Sequence, residues 1–159
     1  PYYDGTVLEF YDRPIGHSLT HLLEKTPEDY QLKKLDADTV MKTEWGPGDV
    51  QMAGGMEKWL ENYLGYGLVW KREVLAEAMA GPPSRGIYEP GVFTKPEHRR
   101  KGYGTLVSAM LVQNIEALGG NTYWNCAKQN LPSAVIARKL GYSVEKEYRL
   151  LGWHKYDQK

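Results

Sequence analysis

The chain has 159 residues, enough for one domain with a sizeable core. Twenty Lys and Arg offset twenty Asp and Glu, so no net field recruits nucleic acid or an anionic membrane surface. The single cysteine, Cys126, excludes an internal disulfide and a cysteine-built zinc site, and no apolar run approaches the roughly 18 residues of a membrane span or makes a secretory segment. A reducing, cytoplasmic setting is expected.

Residues 1–27 read as an N-terminal arm, and the start at Pro1 rather than Met leaves room for a longer N-terminal region. Within the arm Val7–Tyr11 can form a short strand, and Leu19, Leu22 and Leu23 recur at helical spacing up to Thr26-Pro27. The domain proper is expected over 28–159. Gln31–Leu35 alternates as a strand, and Asp36 can cap a short helix carrying Val40, Met41 and Trp45. Gly46-Pro47-Gly48 reads as a break. Met52, Met56, Trp59, Leu60, Tyr63 and Leu64 then share one helical face, which is read as core.

From Gly65 the pattern turns to strands. Gly67–Trp70 and Val74–Ala80 flank Lys71-Arg72-Glu73 as a hairpin, and Ile87–Thr94 follows a loop at 81–86. Pro90 and Gly91 fall inside that strand. Proline removes a ladder donor and glycine weakens packing, so a bulge or an unpaired edge is expected there. Leu106, Val107, Met110, Leu111, Ile115 and Leu118 mark the clearest helix, closed by Gly119-Gly120. Thr122–Cys126 is the next strand. Asn130 at a cap and Pro132 in the first turn open a helix that runs to Leu140, and Tyr142–Tyr156 is strand-like and rich in Tyr and Trp. The whole reads as an α+β domain.

Between the strand ending at Thr94 and the long helix lies Arg99-Arg100-Lys101-Gly102-Tyr103-Gly104-Thr105. Glycines let a backbone approach an anion, and the free N–H groups and dipole of a helix start favour negative charge. Neither a P-loop nor a dinucleotide fingerprint fits, because Gly104 is followed by Thr105-Leu106 and a third glycine is replaced by Val107. Arg99-x-x-Gly102-x-Gly104 resembles the pyrophosphate loop of the GCN5-related N-acetyltransferase (GNAT) superfamily. Asn130-x-x-Ser133-x-x-x-Ala137-x-x-x-Gly141-Tyr142 is similar to that superfamily's second signature, at a compatible distance. The resemblance spans about residues 28–156.

It implies a central mixed sheet of about six to seven strands flanked by about four helices, with the family's fourth and fifth strands splayed to admit the pantetheine arm of acetyl-CoA. By this resemblance Val92, Phe93 and Thr94 line the cofactor edge. Arg99, Arg100, Lys101, Gly102, Tyr103, Gly104 and Thr105 would hold the diphosphate, and Asn130 and Ser133 would lie along the other side of the arm. The implied activity is direct acetyl transfer to a primary amine of a small molecule, with no nucleic-acid or membrane partner. The amine must lose a proton to attack, so a carboxylate base is needed. Glu89 is preferred, because relatives that use a glutamate often place it there, and Glu77 is the second candidate or a contact to a cationic acceptor. Many relatives carry an acidic tyrosine where this chain has Ala137. Ser133 could donate to the sulfur or simply cap a helix, so the acid is left unassigned.

Cys126 reads as a small buried hydrophobe. The histidines at 17, 21, 98 and 154 lack metal-ligand spacing, so no metal is expected. Trp70, Trp124 and Trp153 could wall an acceptor pocket or pack in the core. The aromatic last strand could pair across a homodimer or be an ordinary edge. The competing classes are a non-catalytic acyl-CoA-binding or sensing module of the same fold, supported by the missing tyrosine, and a phosphate-dependent nucleotide enzyme.

Overall fold

Two short strands in parallel register tie together two antiparallel sheets that then part. The structure is a computed structural model that describes residues 3–14 and 16–152, so Trp153, His154 and Tyr156 lie outside it. The elements, in chain order, begin with β1 (Tyr3–Tyr11), α1 (Thr20–Leu23), β2 (Gln31–Lys34), α2 (Ala37–Val40), α3 (Gly46–Ala53) and α4 (Met56–Asn62). They continue with β3 (Leu64–Trp70), β4 (Glu73–Ala80), β5 (Ile87–Tyr88), β6 (Gly91–Thr94), a 3-10 turn at Pro96–His98 and α5 (Tyr103–Ala117). The last are β7 (Asn121–Thr122), β8 (Trp124–Ala127), α6 (Leu131–Lys139) and β9 (Val144–Gly152).

One sheet has the order β2-β3-β4-β6 and the other β8-β1-β9, all neighbours antiparallel. Between them β5 pairs with β7 in parallel, Ile87 opposite Asn121 and Tyr88 opposite Thr122. The last rung is Tyr123 N–H donating to Tyr88 C=O at 3.1 Å. Pro90 follows two residues after Tyr88 and has no N–H with which to extend the ladder. Beyond it, among the described residues, β6 pairs only with β4, and β8 only with β1. The expected unpaired edge at Pro90-Gly91 is thus a fork, and the strand read as Ile87–Thr94 is two strands. The strand read as Thr122–Cys126 is likewise divided at Tyr123 into β7 and β8.

The long helix α5 lies across both sheets on one face. Leu106, Val107, Leu111 and Ile115 pack with Tyr66, Leu68, Ala76, Ala78 and Ala80 of the four-stranded sheet. Ala109 and Val112 join Leu8, Phe10, Trp124, Ala134 and Ala137 on the other side of the fork. On the opposite face of the four-stranded sheet, Leu35, Val40, Trp59 and Met79 form a smaller core beneath α2–α4. Strand alternation divides β4 accordingly: Ala76, Ala78 and Ala80 face α5, and Glu77 and Met79 face α2–α4.

Several local readings change. Gly46-Pro47-Gly48 starts α3 rather than breaking the chain, because Pro47 sits in the first turn where its missing N–H costs nothing. The helix capped by Asp36 ends at Val40, before Met41 and Trp45, its capping box with Thr39 intact. Gly54, at φ +86°, separates α3 from α4, so the single apolar face is split. Trp59 is buried, but Met52 is 75% exposed and Leu60 45% exposed.

Candidate functional site

The entrance to α5 supplies the anion-binding geometry. Gly102 occupies the N-cap at φ +82°, no side chain caps the helix, and the first turn's opening bond is Leu106 N–H to Gly102 C=O at 3.2 Å. Arg100 also takes a positive φ, so the loop curls back over the helix start. Arg100 and Lys101 are exposed and have no ion-pair partner among the described residues. Arg99 has a positional duty: its Nε donates to Thr94 C=O at 3.0 Å and its guanidinium lies 5.7 Å from the Phe93 ring centre. Gly104 seats the helix against the fork. A Cβ there would stand 3.2 Å from both Ile136 Cδ1 and Thr94 Oγ1. Tyr103 and Thr105 are buried, so in this loop their side chains are packing groups.

Val92, Phe93 and Thr94 are half-buried along β6, whose second edge is unpaired. Across the fork Asn130 caps α6, its Oδ1 accepting Ser133 N–H at 3.4 Å. Ser133 Oγ in turn accepts Trp124 Nε1–H at 2.9 Å, which fixes Trp124 in the core. Burial pushes the Cys126 thiol pKa up, against a smaller opposing effect of Ser133.

The two candidate carboxylates have different surroundings. Glu77 is 2% exposed, and its two oxygens accept Glu44 N–H at 2.8 Å and Trp45 N–H at 3.0 Å. Burial raises its pKa, and those two backbone donors partly offset the rise. By this anchor Trp45 is laid on β6, 5.8 Å from the Phe93 ring and close over Gly91. Glu89 is exposed and sits at the fork itself. Its Oε2 accepts the Tyr123 O–H at 2.7 Å and its Oε1 accepts Asn125 Nδ2–H. Burial, then the bond to Glu89, raises the Tyr123 phenol pKa. Glu77 and Glu89 therefore do not form a pair.

The residues that sequence reasoning did not single out are Tyr123, Glu9 and Tyr11. Trp124 and Cys126 face the core, so alternation puts Tyr123 and Asn125 on the opposite face. There the Tyr11 and Tyr123 rings stack at 5.8 Å, and Glu9, opposite Asn125 in register, accepts from Tyr11 O–H and from Tyr148 O–H at 2.9 Å. The bond to Glu9 pushes the Tyr11 pKa up to about 12. Alternation in Tyr123–Ala127 could have exposed Tyr123; nothing local announces Glu9. A hollow of about 780 Å³ opens beside this face, lined among others by Glu9, Tyr11, Asp12, Arg85, Glu116 and Tyr123. A second hollow of about 570 Å³, with Lys33, Lys42, Lys71 and Arg72, lies at β2 and the β3–β4 turn. Among the described residues no group of His, Cys, Asp and Glu is arranged to hold a metal ion, and no helix is long and apolar enough to cross a membrane.

The sequence pattern described as GNAT acetyltransferase matches residues 6–151. A GCN5-related N-acetyltransferase-like protein from Streptococcus suis 89/1591 superposes with a TM-score of 0.77 at 25% identity, over 92% of this chain and 60% of that one. An acetyltransferase of the same family from Novosphingobium aromaticivorans DSM 12444 gives 0.64 at 17% identity, over 92% and 63%. The chain thus spans less than two thirds of the length of either. The aminoglycoside acetyltransferase AAC(6')-Iy, solved with a bisubstrate analogue of CoA and acetylneamine, gives 0.57 at 16% identity, over 79% and 97%. No curated protein sequence matches the chain.

Proposed function

The chain belongs to the GNAT acetyltransferase family, and from that premise we propose that it is an acetyl-CoA-dependent N-acetyltransferase acting on a primary amine of a small molecule. The observation that carries the reading is the unpaired edge of β6 running into the uncapped start of α5. Amides along Val92–Thr94 are suited to an extended pantetheine arm, which would add to the sheet as a strand does. The N–H groups at 102–105 suit its diphosphate, with Arg100 and Lys101 adding charge. Asn130 and Ser133 flank the arm from α6.

Transfer is direct, in a ternary complex. Cys126 is buried and its thiol pKa is raised, the opposite of an activated nucleophile. The analogue bound by AAC(6')-Iy unites CoA and amine in one molecule, which favours the same order of events by analogy. Glu89 is the base, being exposed at the fork, whereas Glu77 holds Trp45 in place. Glu9, Asp12 and Glu116 against Arg13 and Arg85 leave the hollow beside Tyr123 slightly acidic, which favours an acceptor that arrives as a cation. The test is thiol release from acetyl-CoA with a panel of diamines, aminoglycosides and amino acids. Turnover supports the enzyme; acetyl-CoA binding with no turnover across the panel supports a sensing module instead.

A further inference from the structure

We propose that Tyr123 is the acid of the transfer: its phenol gives a proton to the departing thiolate and takes one back from Glu89 through the bond that joins them. The inference rests on the acetyltransferase reading above and assigns the step which that reading leaves without a residue.

Three features of the fork point to this pair. Tyr123 and Glu89 each follow directly on the last paired residues, Thr122 and Tyr88, so both stand where the two sheets separate. Their side chains meet at 2.7 Å. Both are also held: Asn125 bonds the second oxygen of Glu89, and the Tyr11 ring stacks on Tyr123. Of the other hydroxyls near the fork, Thr122 Oγ1 accepts the Tyr142 O–H, and Ser133 Oγ accepts the Trp124 indole N–H while its own N–H is held by the cap of α6; Ala137 of that helix is buried in the core.

The protons balance without any further reactant. An acceptor that arrives as an ammonium first releases one proton to water; the neutral amine nitrogen then attacks the thioester carbon, forms the N–C bond and becomes cationic. Glu89 takes the nitrogen's proton. As the tetrahedral adduct collapses, the C–S bond breaks and its electron pair goes to sulfur, which receives the Tyr123 proton. Protonated Glu89 then returns a proton to the phenolate, and the net result is an amide, a free thiol and an unchanged enzyme. Timing follows from the pairing. Burial, and after it the bond to charged Glu89, keeps the phenol protonated in the resting site, and the second of these restraints is relaxed when the amine's proton neutralises Glu89.

The test compares Tyr123→Phe with the unaltered protein on two acetyl donors. Acetyl-CoA needs a proton for its leaving group, and 4-nitrophenyl acetate does not. Expected is a loss of roughly 10- to 100-fold in kcat with acetyl-CoA. KM for acetyl-CoA should stay within about twofold and the loss with 4-nitrophenyl acetate should be slight. Equal losses with both donors would reduce Tyr123 to a prop for Glu89, and no loss would remove it from the reaction. Fluorotyrosines at position 123 keep the bond while making the phenol more acidic, so they decide the matter if Tyr123→Phe does not fold or the ester is not used. A kcat that tracks phenol acidity supports the assignment and a flat series overturns it. If the unaltered protein releases no thiol with any amine, it is the acetyltransferase reading that fails.

Discussion

Glu77 and Glu89 show how one residue type is sorted by its surroundings. Glu77 is enclosed between β4 and the turn before α3, with a backbone donor on each oxygen. Because burial raises its folded pKa above 4.5, it binds a proton more tightly folded than unfolded. Its contribution to stability is therefore fully present below the ordinary glutamate pKa and declines as pH rises through the folded value. Glu77→Gln removes that dependence. Denaturant unfolding across pH should show the stability of the unaltered protein, less that of Glu77→Gln, falling as pH climbs above about 4.5. A difference that grows would mean the N–H bonds outweigh burial. Truncation to Ala, which strands the Glu44 and Trp45 N–H groups, should cost about 1–3 kcal/mol at any pH where the protein is folded.

At the scale of the element, the start of α5 makes two predictions. Gly104→Val places carbon atoms against Ile136 and Thr94, so the helix must back away from β6. KM for acetyl-CoA should rise about tenfold, the equivalent of ~1.4 kcal/mol, with a smaller change in kcat. Because Arg100 and Lys101 are exposed, their attraction for a diphosphate is screened by salt. KM should climb between low and physiological ionic strength, and Lys101→Ala should flatten that climb. This element was legible in the sequence, since Leu106–Leu118 carries an unbroken helical period and the arginines and glycines crowd into residues 99–104. The fork was half legible. Pro90 marks where pairing must fail, but the parallel rung between Tyr88 and Thr122 joins residues far apart in the chain. Only the folded sheets put Glu89 against Tyr123.

For the whole molecule the least legible fact is the position of β1. Val7–Tyr11 reads as a short strand in an arm, whereas Tyr3–Tyr11 lies between β8 and β9, with Tyr3 opposite Gly152. No local pattern encodes a partner that distant, and closing such a loop is entropically costly before any contact rewards it. The half of the molecule beyond the fork is thus knitted from the outermost strands of the described chain. The other half, β2–β4 and β6 under α5, is complete without them. Opening should proceed in that order. Hydrogen exchange is expected to release the amides of Leu8 and Phe10 before those of Leu68 and Ala78. Mild denaturant should abolish acetylation while acetyl-CoA still binds at β6 and the start of α5, more weakly for want of Asn130 and Ser133. Loss of amine recognition ahead of cofactor affinity would then follow from placing the proposed acceptor face, with Glu9 and Tyr11, on the half that opens first.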